Sequence, residues 1–119
     1  MRVKVYGIRN CNTMKKTFHF LEQEGIDYDF IDYKKEVPDS TLLGGFLKKK
    51  SLEELINRRG TTYKKLSDEQ KELLGHEATA LPIMMANSSM IKRPVIVFPD
   101  GELSVGFQEE EIIKKSRTK

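Results

Sequence analysis

Residues 3–8 form a β-like run, an amphipathic helix pattern follows, and a second β-like run extends from 26 to about 33, an order that leaves few arrangements open. In the helix segment Met14, Phe18 and Leu21 recur at i, i+4 and i+7 as an apolar stripe that Phe20 joins only partly. Gly25 then supplies a C-terminal stop. Beyond it Ile26, Tyr28 and Phe30 alternate with Asp27 and Asp29, the two-residue period of a strand. Two strands joined through a single helix are parallel, with a right-handed crossover.

The pattern changes to short helices between 36 and 90. Pro38-Asp39-Ser40 opens a segment with Leu42, Leu43, Phe46 and Leu47 on one side, and Gly44-Gly45 in its middle weakens it as a helix. Ser51 with Glu54, and Ser67 with Gln70, match the capping-box spacing, the first ahead of Leu55 and Ile56 and the second ahead of Leu73 and Leu74. Residues 57–62 read as a loop, and 81–85 as a short helix that starts at Pro82. Strand signals return at 95–98 and 102–105 around the turn Pro99-Asp100-Gly101. A last helix, 109–115, begins with three glutamates and ends with lysines, the order that its dipole favours, and 116–119 reads as a frayed tail.

This succession, β-α-β, helices, β-β-α, is the layout of an α/β fold with a thioredoxin-like mixed sheet and an inserted helical subdomain. The expected organisation is one domain over 1–119, with residues 1–35 and 91–119 as the core and 36–90 as the insertion. At 119 residues and 38% hydrophobic content the chain can bury a core without disulfides or a metal staple. No metal ligand set is expected.

A single cysteine excludes an internal disulfide and fits a reducing compartment. No apolar segment of signal-peptide or membrane-span length is present, so the expectation is a cytoplasmic protein without membrane attachment. A net charge of +3 is too small to argue for nucleic acid, and leaves room for a small anionic substrate. So small and charged a chain is expected to be a monomer.

That one cysteine, Cys11, lies where the first strand hands over to the first helix. Unpaired amides and the positive end of the helix dipole favour an anion there, and Arg9, Lys15 and Lys16 add positive charge nearby in sequence. A thiol at its ordinary value of about 8.5 is roughly 3% ionised at pH 7, and a depression of about two units makes it roughly 75% thiolate. A lone cysteine is also commonly a small buried hydrophobe, and position alone does not choose between the two. Asn10, Asn12 and Thr13 can cap the helix or bond the thiolate, capping being the role their residue type favours. His19 and His76 read as partly exposed and structural.

Residues 6–16, Tyr-Gly-Ile-Arg-Asn-Cys-Asn-Thr-Met-Lys-Lys, together with Asn57-Arg58-Arg59-Gly60-Thr61 and Ile91-Lys92-Arg93-Pro94, resemble the arsenate-reductase-like (ArsC) family, and within it the YffB-type branch, with a relation to the Spx regulators. The resemblance spans about 3–107. It implies that Cys11 is the nucleophile, and that Arg59 and Arg93 bind an oxyanion or the glutathione carboxylate and help to hold the thiolate. Arginine suits this task because its planar fork donates paired hydrogen bonds and keeps its charge. It further implies a cis peptide before Pro94 that shapes the thiol-substrate groove.

Met14 stands three positions after Cys11, so the C-x-x-C switch of redox-sensing regulators is absent, and residues 105–108 lack the further arginine used by arsenate reductases of the family. The resemblance therefore implies a single-cysteine thiol reductase with no bound cofactor and glutathione as co-substrate. Glutathione or a glutaredoxin would be the partner, acting through a mixed disulfide. Two alternatives are arsenate reduction coupled to glutaredoxin, and a non-enzymatic Spx-like adaptor of the transcription machinery, against which the missing second cysteine argues.

Overall fold

The computed structural model describes residues 2–117. The chain divides into two compact units, one comprising residues 1–36 and 93–119 and the other Val37–Lys92.

The first unit is built on a four-stranded sheet in the order β2-β1-β3-β4. Strand β1 (Arg2–Gly7) pairs in parallel with β2 (Asp27–Asp32) across helix α1 (Asn12–Gln23), while β3 (Val95–Val97) runs antiparallel to both β1 and β4 (Leu103–Val105). This is the thioredoxin-like mixed sheet that the element order predicts. Register places Val5 beside Phe30 on one side and Ile96 on the other, and Tyr6 beside Val95. Helix α7 (Glu109–Arg117) closes the unit at its C-terminal end. Val3, Val5, Ile96 and Phe98 of the sheet pack with Met14, Phe20 and Leu21 of α1 and with Ile112 of α7 in one core. Burial of that apolar surface is the main favourable term for this unit.

Local chemistry explains where α1 ends. Gly25 has φ 69°, its amide donates to the Glu22 carbonyl at 3.2 Å, and the Ile26 amide donates to Leu21 at 2.9 Å. Together these form a Schellman motif, whose left-handed residue only glycine adopts cheaply. The α1 stripe differs from its sequence reading. Phe20 is buried, whereas Phe18 is half-buried in an aromatic group, stacked on Tyr28 at 5.3 Å and edge-on to Phe30 at 5.0 Å. At the last helix Ser116 and Arg117 are helical and Ser116 is buried, which corrects the frayed tail; Thr118 and Lys119 lie outside the described residues.

The second unit holds α2 (Ser40–Leu47), α3 (Leu52–Leu55), α4 (Thr61–Lys64), α5 (Asp68–Leu73), α6 (Glu77–Ala86) and a 3-10 turn (Ser88–Met90). Asp39 caps α2 by accepting from the Leu42 amide at 2.8 Å, and buried Leu43 and Phe46 carry the helix through Gly44-Gly45, whose propensity cost is about 1 kcal/mol each. Both capping boxes form, at Ser51/Glu54 and Ser67/Gln70. Of the two leucines after the second, Leu74 is buried and Leu73 exposed.

Two expectations here are corrected. The 57–62 loop is shorter than predicted, because Thr61 already belongs to α4. Helix α6 starts at Glu77 rather than Pro82, which lies inside it. Its first turn is closed upstream of the proline by the Ala80 amide on His76 at 2.8 Å and by the Thr79 hydroxyl on Leu73 and His76. Ala78, whose carbonyl loses its partner to the proline, is exposed and can be solvated.

Residues 55–57 and 90–92 form a short ladder in this unit. The Asn57 amide donates to Met90 at 2.8 Å, the Lys92 amide donates to Leu55 at 2.7 Å, and Ile56 and Ile91, both buried, bridge between them. Among the described residues no helix is long and apolar enough to cross a membrane.

Candidate active site

The end of the sheet at which β1 and β2 finish gathers the chemically active groups of the first unit. Gly7 closes β1 and the chain turns through 8–10 into Cys11, whose amide donates to the Arg9 carbonyl at 3.0 Å. Cys11 is itself the N-cap of α1, in extended backbone conformation (φ −149°, ψ 130°). That corrects the capping role expected of Asn10, Asn12 and Thr13: the first two are exposed, Asn12 and Thr13 are the first two helical residues, and Thr13 contributes through its backbone.

Helix and strand are held together at this point by one close approach. Met14, in the first turn of α1, is fully buried, and a Cβ added to Gly7 would lie 2.6 Å from its Sδ. Glycine at the strand end lets the helix start seat directly against it.

Cys11 is half-buried, and its sulfur makes no capping hydrogen bond of good geometry. Burial pushes its thiol up. Against this the Met14 and Thr13 amides, pointing at the sulfur, and the Arg93 guanidinium, by charge and as a hydrogen-bond donor, pull it down, and the net position lies below the ordinary thiol range. Lys15 and Lys16 are exposed and Arg9 places its guanidinium over the Phe30 ring at 5.0 Å; none of the three figures among the groups acting on the sulfur.

The Arg93–Pro94 peptide is cis and leads directly into β3, whose Val95 pairs with Tyr6 of β1. Pro94 is buried and its carbonyl accepts from the Gly106 amide at 2.8 Å, so the ladder continues to the edge of this corner. Cys11, Thr13, Arg93 and Pro94 are thus brought together within one unit.

Arg59 belongs to the other unit. It is exposed in the turn after α3, where its amide donates to Asn57 Oδ1 at 3.1 Å, two residues beyond the ladder with 90–92. Arg58 places its guanidinium 5.9 Å from the Tyr63 ring centre. His19 is exposed on α1, and His76, exposed, is the N-cap of α6.

Sequence reasoning missed Tyr33. This residue follows β2 directly, its amide donates to the Gly7 carbonyl at 2.8 Å, and its ring lies 6.3 Å from that of Tyr6. It is 1% exposed, and its hydroxyl has no hydrogen-bond partner. Burial and the neighbouring Tyr6 push its phenol far above the ordinary range, with Arg93 pulling the other way. In the sequence it reads only as the last residue of a strand.

Known proteins share this arrangement. The solved structure of a YFFB protein is similar to this chain with a TM-score of 0.89 at 38% identity, covering 95% of this chain and 97% of that one. An arsenate reductase (ArsC) related protein from Brucella melitensis is 45% identical, with a TM-score of 0.75 and coverage of 99% and 97%. An uncharacterized protein of Haemophilus influenzae is 35% identical over 109 residues, 92% of this chain and 94% of its own length. The model of the ArsC family matches residues 6–114, which takes in the cysteine loop, the helical unit and the Arg93–Pro94 corner, and the chain belongs to that family.

Proposed function

We propose that this protein is a single-cysteine thiol reductase coupled to glutathione. The observation that carries the reading is the convergence on Cys11 of two helix-start amides and the Arg93 guanidinium, which favour the anion that attacks sulfur. Membership of the ArsC family and similarity to an arsenate reductase related protein agree with oxidoreductase chemistry at this thiol.

In the proposed cycle the Cys11 thiolate attacks one sulfur of a disulfide substrate. A new S–S bond forms to Cys11, the substrate S–S bond breaks, and the leaving thiolate carries away the electron pair. Reduced glutathione or a glutaredoxin, as its thiolate, then attacks the substrate sulfur of the mixed disulfide, the S–S bond to Cys11 breaks, the Cys11 thiolate leaves with the electron pair, and a second thiol equivalent reduces the disulfide so formed, because no second cysteine exists in the chain to do so. Arg93 binds the anionic part of the substrate or the glutathione carboxylate, and Pro94 shapes the groove beside it. Arsenate is the less supported substrate: residues 105–108 offer no further arginine, and one lost donor costs a few kcal/mol of oxyanion stabilisation.

Intact-mass measurement after exposure to oxidised glutathione tests the reading. Wild type gains one glutathione, Cys11→Ser gains none, and Arg93→Ala reacts more slowly at limiting glutathione. Equal rates for wild type and Arg93→Ala would remove Arg93 from the site, and no adduct on Cys11 would end the reductase reading.

A further inference from the structure

Five cations on the segments around Cys11 have no part in holding its sulfur. Arg9 stands in the loop before it, Lys15 and Lys16 follow it on α1, and Lys34 and Lys35 lie in the turn that leaves β2; all five are exposed. That turn belongs to the same end of the sheet, since Asp32 is the register partner of Gly7 and the Tyr33 amide donates to the Gly7 carbonyl at 2.8 Å. It folds back on Asp32, whose carboxylate accepts the Lys34 amide at 2.9 Å and whose carbonyl accepts the Lys35 and Glu36 amides at 3.0 and 2.8 Å.

The excess of positive charge is local to this end. Residues 1–36 and 93–119 carry twelve Lys and Arg against eleven Asp and Glu, whereas 8–16 and 32–36 carry five cations against two acids, Asp32, which is buried, and Glu36. Exposed charges of this kind contribute little to stability, and act instead on an anionic partner as it approaches. Glutathione, a tripeptide about 10 Å long when extended, is met in the proposed cycle by Arg93 beside Pro94. Cations both on α1 and after β2 suit a longer polypeptide that lies across the sulfur.

We propose that this end of the sheet is a docking surface for a polypeptide substrate whose disulfide lies among carboxylates. The Cys11 thiolate attacks one sulfur of that disulfide, a bond to Cys11 forms, the S–S bond of the polypeptide breaks, and its other sulfur leaves as a thiolate. Reduced glutathione then completes the cycle as above. Lysine suits the rim of such a surface, because its hydrated point charge on a flexible stem speeds encounter without fixing one geometry. This inference rests on the thiol-reductase reading and adds to it the class of substrate.

Three synthetic peptide disulfides test it in the full chain, each a symmetric dimer of one cysteine peptide flanked by glutamate, glutamine or lysine. Formation of the peptide adduct on Cys11 is followed by intact mass, and each rate is divided by that of the same disulfide with 2-mercaptoethanol, which removes differences in intrinsic reactivity. The glutamate peptide is expected to react about tenfold faster than the glutamine peptide at low ionic strength, and the lysine peptide more slowly than both. The three rates converge in high salt. The pairs Lys34→Gln with Lys35→Gln, and Lys15→Gln with Lys16→Gln, each reduce the advantage to about threefold and leave the alkylation midpoint of Cys11 unchanged.

Equal corrected rates for the three peptides overturn this inference alone, as does an advantage that survives both pairs of substitutions. Oxidised glutathione reacting faster than the glutamate peptide, after the same correction, makes a small disulfide the substrate and overturns it too. Failure of Cys11 to form an adduct with any of these disulfides overturns the reductase reading and this inference with it.

Discussion

Replacing Arg93 by alanine removes a side chain that acts on the Cys11 sulfur by both charge and hydrogen bond, and leaves the Met14 and Thr13 amides in place. A hydrogen bond to a charged group contributes about 1.5–3 kcal/mol. Cys11 is half-buried and the surrounding water screens part of the attraction, so the lower end, about 1.5 kcal/mol, is the appropriate figure. By the relation of roughly 1.4 kcal/mol per factor of ten, the thiolate fraction at a pH below the titration midpoint should fall about tenfold.

The assay is the pH dependence of the iodoacetamide alkylation rate. Its midpoint should move upward in Arg93→Ala, and Arg93→Lys should fall between the two because it keeps charge and loses the fork. The sign also fixes a stability effect. A thiol held below its unfolded value stabilises the fold fully at pH above the ordinary thiol range, and that contribution is lost as pH falls through the lowered folded midpoint. The wild-type advantage over Arg93→Ala in urea should therefore widen on going from acid to alkaline pH. A midpoint unchanged in Arg93→Ala would refute the reasoning, and so would an advantage that narrows with rising pH.

Two further outcomes concern the scaffold. Gly25→Ala forces a side chain into a residue at φ 69°, and should destabilise the protein by about 1–2 kcal/mol in urea titration while leaving Cys11 alkylation unchanged. Asp39→Ala removes the acceptor for the Leu42 amide and should cost about 1 kcal/mol, seen as a lower thermal midpoint.

Much of the first unit was legible because its signals are local. The Gly25 stop, the alternation of 26–30 and the Pro99-Asp100-Gly101 turn each specify backbone geometry within a few residues, and all three produce the elements expected of them. Both capping boxes succeed for the same reason. The failures are tertiary. Whether Phe18 or Phe20 enters the core depends on where β2 and α7 lie, and a helix persists through Gly44-Gly45 and through Pro82 because buried neighbours or upstream bonds outweigh propensity.

The site divides along the same line. The junction that holds Cys11 can be read from strand and helix periods, and the Arg93–Pro94 motif from the family resemblance. Charge proximity in sequence pointed to Arg9, Lys15 and Lys16, whereas the fold brings Arg93 from more than eighty positions away. Tyr33 could not be found at all, since the property that distinguishes it, a buried hydroxyl without a partner, exists only once the chain is folded.

Because the residue that starts α1 is also the sulfur of the proposed cycle, the charge on that sulfur and the stability of the helix's first turn are coupled. A charged sulfur is favoured by the Thr13 and Met14 amides, whereas a sulfur tied into a disulfide leaves them facing a neutral atom. On the proposed function the opening turn of α1 is therefore steadier with the thiolate than with the disulfide.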